Sequence, residues 1–352
     1  TNAFFNRLGV DEEVTVEFDV QVTDNTTGLN NGEADVSNTQ KVSFVVKGTN
    51  DQPKAYNVTA TPQSETAGDS NTVLDGTFIA WDEDKNDTLS YHAVSMDPDA
   101  TAATITGDAG FVKVTVPYDD NGNGAYESNI VIAVKLAAGS EVDINDLDFS
   151  GLKITGRNFE LDGDLNTLPK GEQLIIKFQY NVDDNSGADV SNGYDETNIS
   201  DTKMVTISVT GTNDNGDILD DGIFEGDVVE DIPIIARGDL DITDLDAGEA
   251  EFKTTFDVHD DNTTSYGTFS ITTTGGWEYN LNNVAAQELN GGVTKVEKFI
   301  VYSEDYVAAD AVAGTPQEGE SAIVTIRIHG AEDPSNIYVD VSIDSTDTII
   351  GS

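Results

Sequence analysis

The sequence predicts an all-β chain built from tandem β-sandwich domains. Three observations carry that expectation. A strand-like run ends in Gly-Thr-Asn-Asp twice, as VSFVVKGTND (Val42 to Asp51) and VTISVTGTND (Val205 to Asp214), and a variant ends VTIRIHGAED (Val324 to Asp333). Within these runs apolar and polar residues alternate: Val205, Ile207 and Val209 are separated by hydroxyls, and Val324, Ile326 and Ile328 by Thr325 and Arg327. A period of two turns one face to a core and the other to water. Between the runs lie clusters of Asp, Asn, Gly and Thr, the chemistry of turns. No amphipathic helix stands out, and Asn283 to Leu289 is expected to give one turn at most.

The strand-end marks divide the chain. Residues 1–51 read as the C-terminal half of a β-sandwich repeat, 52–214 as an enlarged and divergent sandwich module, and 215–333 as a shorter complete one. Residues 334–352 are a tail or the start of a further segment. Other correspondences run between units. EADVSN (Glu33 to Asn38) returns as GADVSN (Gly187 to Asn192), and DGTFIAWDEDKND (Asp75 to Asp87) lines up with RGDLDITDLDAGE (Arg237 to Glu249). In that second pair Gly76 and Gly238 are each followed at +6 and +8 by Asp (Asp82 and Asp84; Asp244 and Asp246) and at +11 by an acid (Asp87, Glu249). WEYNL (Trp277 to Leu281) and KFIVY (Lys298 to Tyr302) are strands by their aromatic and β-branched content.

Composition narrows the functional classes. The 352 residues carry 66 acidic against 17 basic side chains, a net charge of −49. Such a surface repels nucleic acid and anionic membranes. It also repels itself, so clustered carboxylates call for cations or a high-salt medium. With no cysteine there are no disulfides and no zinc–thiolate sites. No apolar run reaches membrane-spanning length, and the start TNAFFNRLGV lacks the basic and apolar regions of a signal peptide. The chain is therefore expected to be an interior piece of something longer, monomeric within that chain. An enzyme is not expected: His92, His259 and His329 have no partner pattern, and the acids fall at turns rather than converging. Trp277 is expected to fill a core, Trp81 to pack under the acids that follow it, and His329 to be exposed.

The strand ends have two readings. Gly permits the turn out of a sheet, and Asn and Asp stabilise it by bonding their own backbone. The same oxygens also suit calcium, a hard cation that takes 6–8 oxygen ligands. The candidate ligands are Asn50, Asp51, Asp82, Asp84 and Asp87, and in the second set Asn213, Asp214, Glu230, Asp231, Asp244, Asp246 and Glu249. Asn213, Asp214, Glu230, Asp231, Asp244 and Asp246 are expected to meet at one joint. A further candidate is the loop YDDNGNGAYE, where Asp119, Asn121 and Asn123 alternate before Gly124 and Glu127 follows. It is no EF-hand, because Ile130 stands where the twelfth-position glutamate belongs. A polar hairpin tip explains the same residues. FELDGDLN (Phe159 to Asn166) and VDINDLDF (Val142 to Phe149) are further acid-rich loops or solvated strand edges. Adaptation to salt is the competing account of the charge. It predicts scattered acids, whereas calcium predicts acids at equivalent positions of different units.

The third unit resembles the VCBS-type repeat of large bacterial surface adhesins. The matching stretches are VVEDIP, GDLDITDLDAGE, YGTFSI, GGWEYNL, KFIVYSED and VTIRIHGAED, between Val228 and Asp333. It departs from that pattern at Ala331-Glu332, in place of Thr-Asn, and at YSED. The middle unit looks like a divergent cadherin-like or immunoglobulin-like relative. The resemblance implies tandem Ig-like or cadherin-like sandwiches joined by calcium-binding linkers. It further implies a segment of an RTX-type, type I secreted adhesin at the bacterial cell surface, with Ca2+ as cofactor and a role in cell adhesion or biofilm formation. The RTX nonapeptide itself is absent from this sequence. Some such adhesins capture a peptide terminus or a glycan of another cell through a calcium-lined pocket, and the enlarged 52–214 module is the candidate for that role.

Overall fold

The computed structural model describes residues 4–23, 36–187, 197–231, 234–259, 265–307 and 319–332. The chain forms two compact units, Thr1–Asp214 and Asn215–Ser352. The division falls directly after the second strand-end mark. Asp333, the tail 334–352 and most of the two ADVSN segments lie outside the described residues.

The first unit opens with an antiparallel hairpin, Glu13–Val20 paired with Gln40–Lys47. Its register sets Val14 opposite Val46, Val16 opposite Phe44 and Phe18 opposite Val42, so the apolar side chains share one face. The other face carries the ion pairs Glu13–Lys47 (2.7 Å) and Glu17–Lys41 (3.2 Å). Phe18 and Phe44 stay 48% and 50% exposed, although they sit on the face a second sheet would cover.

The rest of the first unit is a sandwich made by one sheet folding over itself. Its strands run in the order Val58–Thr59, Lys203–Thr210, Gln173–Asp183, Ser128–Leu136, Val112–Asp119, Asp148–Thr155, Asn158–Asp164 and Thr72–Thr77. Gln173–Asp183 reads as strict alternation, and Leu174, Ile176, Phe178, Tyr180 and Val182 are all fully buried. Phe159 on one limb meets Phe178 on the other, ring centroids 5.2 Å apart, and Phe78 closes the cluster against Tyr180 at 4.5 Å. The extra length of this module folds in part onto its outer face. There a short helix, Ala102–Thr106, capped by the Thr101 side chain, lies in a satellite core of Met96, Ala102, Phe111 and Ala133. Periodicity missed this helix because five residues are too few to show one.

The second unit is a sandwich of separate sheets. One holds Glu225–Val229, Ser321–His329, Thr294–Tyr302 and Asp257–Val258; the other holds Ile235–Asp239, Gly276–Leu281 and Gly267–Ile271. Phe269 and Phe299 stack at 4.5 Å. Trp277 is 2% exposed and donates its indole N–H to the Ile223 carbonyl at 2.7 Å, so it fills the core as expected. Asn282 caps the single turn Asn283–Ala286. His329 is half-exposed rather than free in water, with Nε2 2.8 Å from Asp227 Oδ1. Both sandwiches pair an early strand in parallel with the last: Val58–Thr59 with Lys203–Thr210, and Glu225–Val229 with Ser321–His329.

Trp81 departs from expectation. It is 42% exposed, donates to the Tyr56 hydroxyl at 2.8 Å and carries the Lys54 ammonium over its ring, so it does not underlie the acids. Trp81 closes the short strand Ala80–Trp81 on the outer side, and the chain beyond it turns Asp82 inward.

The repeated glycines have a packing cause. A Cβ on Gly76 would enter the Phe159 ring, and one on Gly238 would stand 2.6 Å from Trp277. In each unit, then, an aromatic ring occupies the space that a side chain on the glycine preceding the acidic segment would need. Gly238→Ala is expected to lower the stability of the second unit by about 1–3 kcal/mol, the usual overpacking cost. Gly76→Ala should act likewise on the first unit. Calorimetry of the whole chain checks this, each variant moving only its own transition.

Candidate metal sites at the strand ends

One acidic cluster lies in the first unit, where the hairpin segment meets the middle module. Asp82, Asp84 and Asp87 follow Thr72–Thr77 and the short strand Ala80–Trp81, and bring carboxylate oxygens within 4.8 Å of one another. Asp82 Oδ1 accepts from the Asp84 amide at 2.8 Å, and Asp84 Oδ2 accepts from the Asp51 amide at 2.9 Å. Thus the first strand-end mark is tied to the acidic segment. Asn50, 1% exposed, donates Nδ2 to Asp184 Oδ2 at 3.1 Å. Glu12 reaches the same place, bonding the Asn86 side chain and, at 3.1 Å, the Gly9 amide. The remaining oxygens Asp82 Oδ2, Asp84 Oδ1 and Asp87 Oδ2 are buried with no hydrogen-bond partner among the described residues.

The electrostatics of this cluster are one-sided. Burial pushes Asp84 up to about 7, and the carboxylates of Asp51, Asp82 and Asp87 add to the rise against the opposing Asp51 amide. Asp82 and Asp87 are raised too, by burial first and then by Asp184 and other carboxylates. Buried oxygens are normally hydrogen-bonded, and buried charge is normally paired. A cluster of hard oxygens meeting neither rule matches the donor set of a hard divalent cation.

A second cluster lies at the other end of the module, around the second mark. Asn213 folds Nδ2 onto the Asp214 carbonyl at 2.8 Å, as Asn50 folds onto the Asp51 carbonyl at 3.2 Å. Asp214 accepts from the Gly68 amide. Glu65, 3% exposed, accepts from the Thr212 amide at 2.9 Å and from its hydroxyl. Glu65 Oε2, Asn166 Oδ1, Thr167 Oγ1 and Glu172 Oε1 are buried without hydrogen-bond partners among the described residues. Burial raises Glu65 and Asp214, and Asp164 adds to both. Sequence reading singles out Asn213 and Asp214 and, as the end of an acid-rich loop, Asn166, but not Glu65 or Glu172. Glu65 stands eleven residues before Gly76 and Glu230 eight before Gly238, and this offset hides the equivalence.

The second unit repeats part of the first cluster. The Asp246 amide donates to Asp244 Oδ1 at 2.8 Å, the same bond as Asp84 to Asp82, and the Glu249 amide bonds the Asp246 carbonyl at 3.3 Å. Asp305 joins them unforeseen. It accepts from the Gly216 amide at 3.1 Å, and a Cβ on Gly216 would stand 3.2 Å from Asp244 and 3.3 Å from Asp305.

Glu230 and Asp231 do not join Asp244 and Asp246. Glu230, 1% exposed, accepts from the Ala331 amide at the far end of the unit, and Asp231 bonds Asn283 and Gln287 there. The expected single joint therefore separates. Strand Glu225–Val229 carries Glu230 to one end of the sandwich, while Asp217–Ile218 pairs with Ile242–Thr243 at the other.

The loop from Asp119 is built differently. Asp119 is fully buried, but its oxygens accept from the amides of Asn121 (3.2 Å), Gly122 (2.8 Å) and Gly124 (2.8 Å). Burial alone would raise it; the backbone amides outweigh burial and hold it below the usual carboxylate range. Asn121 and Asn123 accept from the amides of Asn123 and Ala125, and Asn123 Nδ2 donates to Glu127 at 3.0 Å. Carboxylates of Asp119, Asp120 and Glu127 still lie within 4.8 Å of one another. The loop nevertheless satisfies its own buried oxygens.

No family model and no curated protein matches the sequence. Solved structures similar to the chain include mouse protocadherin-24 EC1-3 (13% identity, TM-score 0.37, covering 90% of this chain and 79% of that one). Another is CfaE, the adhesive subunit of CFA/I fimbria of enterotoxigenic Escherichia coli (12%, 0.32, 81% and 100%). A third is the titin I-band fragment I67-I69 (10%, 0.31, 92% and 94%). The assignment of the chain as tandem β-sandwich domains stands on the strand pairings described above.

The raised Asp84 sets a pH dependence. Folded Asp84 keeps its proton up to about 7, while an unfolded aspartate releases it near ~4. Between these values the folded state binds more protons, so metal-free stability falls as pH rises. In chelator the first unit should melt higher at about pH 5 than at about pH 8, and Asp84→Asn should remove most of the difference. Circular dichroism melts at the two pH values check it.

Proposed function

We propose that this chain is a calcium-stiffened segment of an extracellular bacterial adhesin, of the RTX type with VCBS-like and cadherin-like repeats. Its work is mechanical: it extends or presents ligand-binding modules during cell adhesion or biofilm formation. The observation that carries the reading is the buried oxygen cluster of Asp82, Asp84 and Asp87, met by Asn50 and Asp51 at a strand end and by Asp184. Recurrence of the Asp82–Asp84 turn as Asp244–Asp246 supports it. Salt adaptation alone gives no reason for carboxylate oxygens to be buried beside one another at equivalent positions.

Calcium would supply the positive charge these carboxylates lack. Asp82, Asp84, Asp87 and Asp184 would hold it from the middle module, with Asn50, Asp51 and Glu12 approaching from the hairpin segment. An ion shared this way ties the two segments together; without it, carboxylate repulsion pushes them apart. Extracellular modules bind calcium at ~10⁻⁴ to 10⁻³ M, so stiffening would set in outside the cell.

Millimolar calcium should raise the melting midpoint of the whole chain by several degrees, while sodium chloride of equal ionic strength should not. Asp84→Asn with Asp184→Asn should remove much of that rise. A midpoint that follows ionic strength alone would refute the reading. Terbium offers a local probe: Trp81 adjoins Asp82, so bound Tb3+ should luminesce on tryptophan excitation. Trp81→Phe should lose most of that signal and calcium should displace it.

A further inference from the structure

A groove beside strand Val112–Asp119 takes no part in the acidic clusters. Along one edge the strand pairs with Ser128–Leu136, from Val112↔Val134 to Tyr118↔Ser128. Along the other it pairs with Asp148–Thr155 only at Tyr118↔Leu152 and Asp119↔Lys153. From Val112 to Pro117 that second edge has no strand partner among the described residues. The chain preceding Asp148 turns away through Ile144–Asp146, a turn capped by the Asp143 side chain on the Asn145 amide. A groove of about 350 Å3 lies between, with a mixed lining: Val112, Val114 and Leu147 stand beside Lys113, Asn145 and Asp148. A second hollow of about 500 Å3 shares Val112 and Ile144 and extends it past Leu136 and Val142.

The inner row of the strand shows the core opening into this groove. Val116 is fully buried, Val114 is half-buried and Val112 is 48% exposed. An open edge presents N–H and C=O groups that a further strand would satisfy. Proteins guard such edges with proline or bulges. Here Pro117 and the bulge between Phe149 and Gly151 stand only at the closed end of the gap. The rim is anionic: Glu141, Asp143 and Asp148 line the two hollows and are exposed. Lys113 is the one basic residue along the groove, and its ammonium is held by the carbonyls of Asp97 (2.5 Å) and Pro98 (3.2 Å).

The geometry points to β-strand addition: an extended peptide with alternating apolar and basic side chains docks beside Val112–Thr115 as an extra strand. Backbone hydrogen bonds to the open edge supply affinity, apolar side chains fill the groove, and basic side chains meet the acidic rim. This function is separate from the calcium sites and does not rest on them.

The test titrates the whole chain with a fluorescent (Lys-Val)4 octapeptide, followed by anisotropy. Salt at about 0.15 M screens the long-range pull of the net charge. Controls are (Glu-Val)4 and a peptide equal in charge to (Lys-Val)4 with proline at alternate apolar positions. The lysine–valine strand should bind at least about tenfold more tightly than either, and Val112→Lys should abolish the preference without moving the melting midpoint. Hydrogen exchange gives a readout independent of the variant: bound peptide should protect those amides between Val112 and Val116 that face the open edge, the alternate ones being already bonded to Ser128–Leu136. Equal binding of the proline control would overturn the proposal. So would protection confined to another exposed edge, such as the Glu13–Val20 hairpin.

Discussion

Carboxylates held out of water a few ångströms apart repel one another, and this chain concentrates that repulsion at its strand ends. Burial raises the proton affinity of Asp82, Asp84 and Asp87, and neighbouring carboxylates add to it: Asp51, Asp82 and Asp87 at Asp84, Asp184 and Asp87 at Asp82, Asp184 and Glu12 at Asp87. Two like charges at ~4 Å cost ~1 kcal/mol in water and ~4 kcal/mol at an effective dielectric of 20. A fold does not hold such a cluster for stability alone, because proton uptake or a bound cation must offset it. The sandwich cores are made independently of this tension, by aromatic rings buried between sheets. The acidic segments then hang from those cores at fixed places.

Asp119 shows that burial of an acid does not by itself create the tension. Asp119 ends a strand and Asp84 follows one, and both are buried, yet their surroundings act in opposite directions. Asp119 gathers backbone amides from its own turn, which stabilise its negative charge where it stands. Asp84 receives an amide on one oxygen and faces carboxylates with the other. The difference lies in which groups the backbone turns toward each carboxylate, and glycine decides much of it. Gly122 and Gly124 adopt positive φ, which lets successive amides point inward at Asp119.

Local order was therefore legible in the sequence, and distant convergence was not. Alternation in Gln173–Asp183 and Ser321–His329 states which face is buried, because side chains in a strand alternate strictly. The Gly-x5-Asp-x-Asp spacing brings Asp82 to Asp84 and Asp244 to Asp246 through the same local bond. Asp184, Asp305 and Glu65 went unread because they reach their clusters from distant segments. Glu230 was misplaced for a related reason: adjacency in sequence to Asp244 says nothing when a strand of the sandwich lies between. Trp81 was misread because it closes the short strand Ala80–Trp81 on the outer side, where it bonds Tyr56 and carries Lys54, while the chain beyond it turns Asp82 inward.

The repeated glycines join the two halves of this account. Gly76 lies under Phe159 and Gly238 under Trp277, so the strand before each acidic segment is pinned by the core. Six residues later the first aspartate of each pair arrives, its position set by that pinning and by the turn it makes with the second. The core thus fixes where negative charge accumulates. Whatever relieves that charge acts on the strand end bonded to it, as Asp84 is bonded to the Asp51 amide. A cation there would leave core packing nearly unchanged and would alter chiefly the hold of one segment on the next. Stability within a module and stiffness between segments are then separate quantities, the first written in aromatic packing and the second in carboxylate oxygens.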